Sequence, residues 1–229
     1  MAKIVYGSLA GALSGALGND VFSHGRHGAY IRRRVIPTKT VNIYTLKVKN
    51  ILTICSRAWG YLDAGQRAAW QTWAQSNPIT DRLGQKQVLF GAAAYTELNA
   101  RLLFAGDSAI SVPPTAAPPA PLTTLTVVAD ASAHTCVLTT VPTPVGAANR
   151  IWVNVALVNS RGKAYKENSF KLVAVSGKNQ ATGLGIGTAL ELRFGTLLED
   201  ESYTVRASVF SSATGLMSGP KDCSDFVVA

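Results

Sequence analysis

Leu197-Leu198-Glu199-Asp200-Glu201-Ser202-Tyr203-Thr204-Val205-Arg206-Ala207-Ser208-Val209 is the stretch on which the reading of the fold turns. Two leucines lead into an acidic turn. Tyr203, Val205, Ala207 and Val209 then recur at a period of two, the mark of a strand with one buried face. From Leu122 onward the same period recurs over 124–130, 134–141, 150–159, 168–175, 188–195, 201–211 and 222–228. Seven short strands separated by turn residues predict a two-sheet sandwich over 123–229. Tyr203 and Val205 are expected in its core, and Trp152 on the third strand is expected as its core aromatic.

Upstream the pattern changes. Residues 111–122, SVPPTAAPPAPL, hold five prolines in twelve. That composition favours a semi-rigid polyproline-type connection, so the domain boundary is expected at 108–122. Before it, 37–107 reads as a helical domain of three helices. Val41, Tyr44, Val48, Ile51, Cys55, Ala58 and Leu62 follow one another at spacings of three and four, an apolar stripe on one helix face. Asp63 and Gln66 have capping-box spacing at the start of a second helix, whose apolar face is Ala69, Trp70, Trp73 and Ala74. A third helix spans 90–105 with Ala94, Leu98, Arg101 and Leu102 along one side. Trp59, Trp70, Trp73 and Leu98 are the expected packing residues of this region.

Residues 1–36 read as an extended basic arm. Two strand-like runs, Gly18–Ser23 and Ala29–Ile36, flank His24-Gly25-Arg26-His27-Gly28, a turn with two glycines that suits a hairpin. Alternation puts Tyr30, Arg32 and Arg34 on one face and Ile31, Arg33 and Val35 on the other. The fold class is thus α+β multidomain: arm and hairpin, three-helix region, linker, then seven-stranded sandwich.

Charge divides the chain. Residues 1–106 carry 13 Lys+Arg against 4 Asp+Glu, and residues 107–229 carry 9 against 9. The basic half is expected to face something anionic, through Arg26, Tyr30, Arg32, Arg33, Arg34 and Lys39. Charged residues make up only 15% of the chain, below the usual quarter. Surfaces covered by partners and a Thr/Ser-rich β domain both explain that scarcity.

The inventory argues against catalysis, a cofactor, a metal or a small-molecule substrate, and the chain is expected not to be an enzyme. His24 and His27 lie in the arm turn without a Ser or Cys to activate, and no carboxylate or thiolate joins them at ligand spacing. His134 and Cys136 share a strand face, but a turn histidine beside a buried cysteine explains them. Glu199 to Glu201 reads as a solvated turn. Gly183-Leu184-Gly185-Ile186-Gly187 lacks the Lys-Ser/Thr pair and following helix pattern of a phosphate loop. Three cysteines, Cys55, Cys136 and Cys223, show no metal-type spacing; Cys136 and Cys223 either pair across the sandwich or stay reduced. No apolar run reaches membrane-spanning length. The glycines at 7, 11, 15 and 18 break the hydrophobic run after Lys3, which argues against secretion.

Two resemblances complete the reading. The Leu197–Val209 passage resembles the strand E to strand F region of fibronectin type III domains, with Tyr203 at the tyrosine-corner position. Residues 5–106 resemble an uncharacterised family from phage and prophage genomes. The carrying pieces are Gly11-x-Leu13-x-Gly15-x-Leu17-Gly18-Asn19-x-Val21-Phe22, Gly28-x-x-Ile31-Arg32-x-Arg34, Ser56-Arg57-Ala58-Trp59, Leu62-x-x-x-Gln66-Arg67-x-Ala69-Trp70 and Gly91-x-x-x-Tyr95-x-x-Leu98-Asn99. This second resemblance implies a structural protein of a phage or phage-like particle, assembled in the bacterial cytoplasm. Its expected partners are copies of itself and other particle proteins, with non-specific nucleic-acid contact as a further one. An arm and linker of this composition cost roughly 1–2 kcal/mol per residue to order, which favours partners that hold them. The alternatives are a cell-surface adhesive or carbohydrate-binding sandwich using Tyr165, Phe170 and Phe210, and a nucleic-acid-associated protein.

Overall fold

The computed structural model describes residues 2–3, 13–25, 28–35, 42–80, 84–142, 145–158, 169–181, 183–199, 201–223 and 226–227. They contain four helices and several antiparallel sheets. The chain divides into two compact units, Met1–Ile43 and Tyr44–Ala229.

The first unit is one antiparallel sheet. Its strands are β1 (Ala2–Lys3), β2 (Gly15–Leu17), β3 (Asp20–Gly25) and β4 (Gly28–Arg33), in the order β1-β4-β3-β2. The register of β3 on β4 runs from Asp20 opposite Arg33 to Gly25 opposite Gly28. The hairpin is thus present; its tip, Arg26 and His27, lies outside the described residues.

The second unit opens with α1 (Ile43–Tyr61) and α2 (Ala64–Ser76). Asp63 caps α2: the Gln66 amide donates to its Oδ1 at 2.7 Å, and its own amide donates back to Gln66 Oε1 at 3.1 Å. Two short paired strands follow, β5 (Ile79–Thr80) and β6 (Lys86–Gln87), then α3 (Gly91–Ala105). Gly91 carries no Cβ where one would meet the Gln71 amide nitrogen at 2.8 Å, so α3 starts hard against α2. The helical core gathers Ile51, Cys55, Trp70, Ala74, Ala94, Tyr95 and Leu98. Trp70 is edge-on to Tyr95 at 5.3 Å, and Trp59 tilts against the same ring at 5.4 Å. The apolar stripe of α1 is only partly used. Ile51 and Cys55 are buried, whereas Val48 is 43% exposed.

The remaining strands form two facing sheets. β7 (Thr124–Asp130), β8 (Thr135–Val141) and β11 (Leu184–Gly185) lie in the order β11-β8-β7. The larger sheet runs β10 (Lys171–Val175), β9 (Asn149–Val158), β12 (Ser202–Ser211), β13 (Lys221–Asp222), and β14 (Phe226–Val227) also pairs with β12. β9 and β12 pair along their full length, from Ser202 opposite Val158 to Ser211 opposite Asn149. Ile151, Val153 and Val155 join Tyr203, Val205, Ala207 and Val209 in the core shared with Leu125 and Leu138 of the smaller sheet.

Three sequence expectations are corrected here. Residues 188–195 do not form a strand; α4 (Gly187–Phe194) occupies them. Leu190 and Leu192 imitate a period of two, but Ala, Leu, Glu and Arg favour helix, and the buried pair is Ile186 with Leu190, four residues apart. Leu192 is 75% exposed. Trp152 is not between the sheets. It is one residue out of phase with Ile151 and Val153, so it lies on the outer face of β9, where it packs between Phe104 of α3 at 5.6 Å and Phe210 at 5.7 Å.

The third correction concerns residues 108–122, which divide no units: helices and facing sheets belong to one body. Side chains fasten the lead-in. Asn99, fully buried, accepts from the Ile110 amide at 2.6 Å and donates to the Ile110 carbonyl at 3.1 Å. Trp70 Nε1–H donates to the Ser111 carbonyl at 2.9 Å, and Leu122 is buried in the sheet core. Replacing Asn99 by Ala strips these partners from buried backbone groups. Asn99→Ala should lower stability by about 1–3 kcal/mol, read as a fall in the urea midpoint at unchanged slope.

Candidate functional site

The arm is the most strongly charged part of the chain and has the least core. Met1–Ile43 carries 6 Lys+Arg against 1 Asp+Glu. Among its described residues only Ala29 is buried, and Leu17 and Val35 stand about three-quarters exposed. The strands are paired by the ladder, and the other described side chains of this unit range from half-buried to exposed. Residues directly opposite each other share a face. Tyr30 lies opposite Ser23 and Arg32 opposite Val21, so these four form one face. Ile31 and Arg33 form the other with Phe22 and Asp20. The Arg34 amide donates to the Asn19 carbonyl at 2.6 Å and prolongs the ladder, so alternation returns Arg34 to the face of Arg32. Arg32, Arg33 and Arg34 are all exposed. Arg26 and Lys39, expected to join them, lie outside the described residues.

All but one of the described carboxylates of the second unit are held internally. Asp63 caps α2; Glu97, Glu191 and Asp222 are held by Arg101, His134 and Arg206. Asp130 accepts from Ser132 and from the Ala133 amide, and Glu201 accepts from the Tyr203 hydroxyl. Asp107 is the most enclosed, its side chain 5% exposed. Arg150 grips it with two hydrogen bonds, at 2.9 and 3.0 Å, and Lys178 stands at 3.2 Å. Burial alone would raise the Asp107 carboxyl. The Arg150 and Lys178 cations outweigh burial and hold it below the ordinary carboxylate range. Among described carboxylates of this unit, Glu199 alone has no hydrogen-bond or ion-pair partner.

The remaining sequence candidates are dispersed. His134 Nδ1 lies 2.7 Å from Glu191 Oε1, while the Cys136 thiol is buried and pushed up to about 11 by desolvation, far from the thiolate form a nucleophile needs. Cys55, Cys136 and Cys223 are free. Phe210 is fully buried against Trp152, and Arg206 covers the Phe170 ring at 4.3 Å; neither offers a flat sugar platform, and Tyr165 lies outside the described residues. Trp59, Trp70, Trp73 and Leu98 meet around Tyr95 in the helical core, and Tyr203 and Val205 sit in the sheet core. Among the described residues no group of three or more His, Cys, Asp or Glu side chains gathers for a metal, and no helix is long and apolar enough to cross a membrane.

Sequence reading missed one feature, an apolar hollow of about 210 Å³ between α1, α3 and the outer face of the larger sheet. Val48, Leu52, Phe104, Trp152 and Leu172 line it. The hollow is smaller than the usual small-molecule site of ~300–1,000 Å³. The period-3.6 stripe of α1 signalled its helical wall, but the other wall depends on the phase of Trp152.

No protein-family model and no curated protein matches the chain. Among solved structures, a family 76 glycoside hydrolase from a bovine Bacteroides thetaiotaomicron strain is 12% identical, with a TM-score of 0.34. The match covers 48% of this chain and only 20% of the hydrolase. An Fn3-like protein from Clostridium thermocellum is 18% identical over 49% of this chain and 94% of its own, with a TM-score of 0.31. The second bears the fold name that the strand pattern suggested. The first removes an expectation: with a glycoside hydrolase among the matched structures, the exclusion of enzymatic activity does not stand. A likeness this low assigns no activity to the chain.

The Asp107 clasp gives a pH signature. Its folded carboxyl titrates below the unfolded one, so its stabilisation is complete above the unfolded value and is lost as pH falls through the folded value. Asp107→Asn should cost about 2 kcal/mol at neutral pH. The deficit should shrink as pH falls below the ordinary carboxylate range, in thermal melts recorded across an acid series.

Proposed function

We propose that the chain is a structural component of a phage or phage-like particle, built in the bacterial cytoplasm, with the arm as its assembling element. The observation that carries this reading is the arm sheet, whose strands are paired but in which Ala29 alone is buried among the described residues. A sheet normally buries at least one face against another layer. The natural remedy is a partner, and exchange of strands or sheet faces between copies supplies one in closed particles and filaments. The resemblance of residues 5–106 to phage-associated proteins points the same way.

The facing sheets would be the displayed module, a fibronectin type III-like sandwich. Its support is the strand order. The first, second and fifth strands form the smaller sheet, and the fourth, third, sixth and seventh form the larger, with β13 and β14 sharing the last place. The Tyr203 hydroxyl, near the start of β12 as a corner tyrosine is, donates to the Glu201 carboxylate just before the strand, where a tyrosine corner would use backbone.

Phe22→Asp places a charge on the more apolar arm face while leaving both cores of the second unit intact. The full chain should form defined multimers by light scattering and electron microscopy. Phe22→Asp should remain monomeric with little change in melting temperature. A wild-type chain that stays monomeric at micromolar concentration would sink the reading.

A further inference from the structure

We propose that the Tyr30–Arg32–Arg34 face of the arm sheet binds a single strand of nucleic acid through its phosphates. This deepens the assembly reading, because it rests on the arm as the partner-binding element and names a partner. Three observations carry it.

The first is unspent charge. Arg32 and Arg34 are exposed, and neither has a hydrogen-bond or ion-pair partner for its side chain among the described residues. Arg33, on the opposite face, at least lies across from Asp20.

The second is the lack of a complement on this chain. The described carboxylates of Tyr44–Ala229 are held by arginines, a histidine, a lysine, a helix cap, a serine turn or a tyrosine, with Glu199 alone left over. A second copy offers no described acidic face to neutralise the arm. A phosphate backbone supplies an anion that these described carboxylates do not.

The third is the order of side chains along the strand. Tyr30, Arg32 and Arg34 stand at alternate positions, ~7 Å apart along one face. An aromatic ring followed by two guanidinium groups is the pairing that single strands use: a base stacks on the ring while cations track the backbone. Arginine also forks onto phosphate oxygens, which a lysine does as a point charge only. Tyr30 is half-buried, and its backbone is held by the β3 and β1 ladders on its two sides.

The test uses the full chain and a fluorescent oligothymidylate of about 16 nucleotides. Anisotropy is followed between about 50 and 200 mM salt, with polyglutamate of similar length as competitor and light scattering under the same conditions. Binding should weaken with salt along a straight log–log line. Arg32→Gln with Arg34→Gln should reduce the slope by about 1.4, two phosphates at about 0.7 each. The charge-keeping pair Arg32→Lys with Arg34→Lys should hold the slope near the wild-type value. Tyr30→Leu should weaken binding at least 5-fold with little change of slope. Lys221→Gln, on exposed β13, should change nothing.

Absence of binding at the lowest salt overturns the proposal. So does displacement by polyglutamate as effective as by unlabelled oligonucleotide, which would assign the arm to an acidic protein surface. Loss of slope in the lysine pair overturns it as well. Multimers that bind no oligonucleotide refute this proposal and leave the assembly reading standing; a monomer that binds does the reverse.

Discussion

The outer face of the β9–β12 pair decides how the second unit holds together. Sheets in a sandwich bury one face against each other, and the other is ordinarily left to solvent. Here Trp152 and Phe210 occupy that outer face and meet Phe104 of α3. Fully burying one such aromatic is worth about 1.5–3 kcal/mol, and each ring pair adds about 0.5–1.5 kcal/mol. Arg150, on the same strand, grips Asp107 just beyond the end of α3. The apolar contact supplies attraction and the bidentate pair supplies orientation. With α3 fixed, Lys47 of α1 reaches the Phe104 ring and its carbonyl, which sets the wall of the apolar hollow.

The arm obeys the opposite logic. Among its described residues the strands are paired, Arg32 and Arg34 have no side-chain partner, and Leu17 and Val35 stand open. A short sheet with little buried apolar surface gains little from burial. The helical and sheet cores, by contrast, contain their own reasons to be folded.

Local signals in the sequence were read well where local chemistry decides. Asp63 and Gln66 cap α2 because the box needs nothing beyond its own turn. Gly106, with φ of 82°, ends α3 as a left-handed residue should. β7, β8, β9 and β12 follow their alternation closely. Failures came where a distant surface decides. Leu190 and Leu192 alternate as in a strand, yet only Leu190 finds the core. Trp152 was assigned to the interior by residue type, whereas its phase against Val153 assigns it to the helices. The prolines of 111–122 announce a semi-rigid connection between separate units, and composition cannot reveal that Asn99 and Trp70 meet it with matching hydrogen bonds. For the arm, alternation placed Tyr30 and its arginines correctly by face, but the committed state of the carboxylates elsewhere became visible only in three dimensions.

The fastening of residues 108–122 bears on how this protein can change over time. A proline-rich joint that acted only as a spacer would be indifferent to what it connects. This joint is not indifferent. A replacement module would arrive without Arg150 for Asp107 and without Trp152 and Phe210 for Phe104, and the helices would lose the surface that fixes them. The facing sheets and the helices therefore depend on each other across this contact.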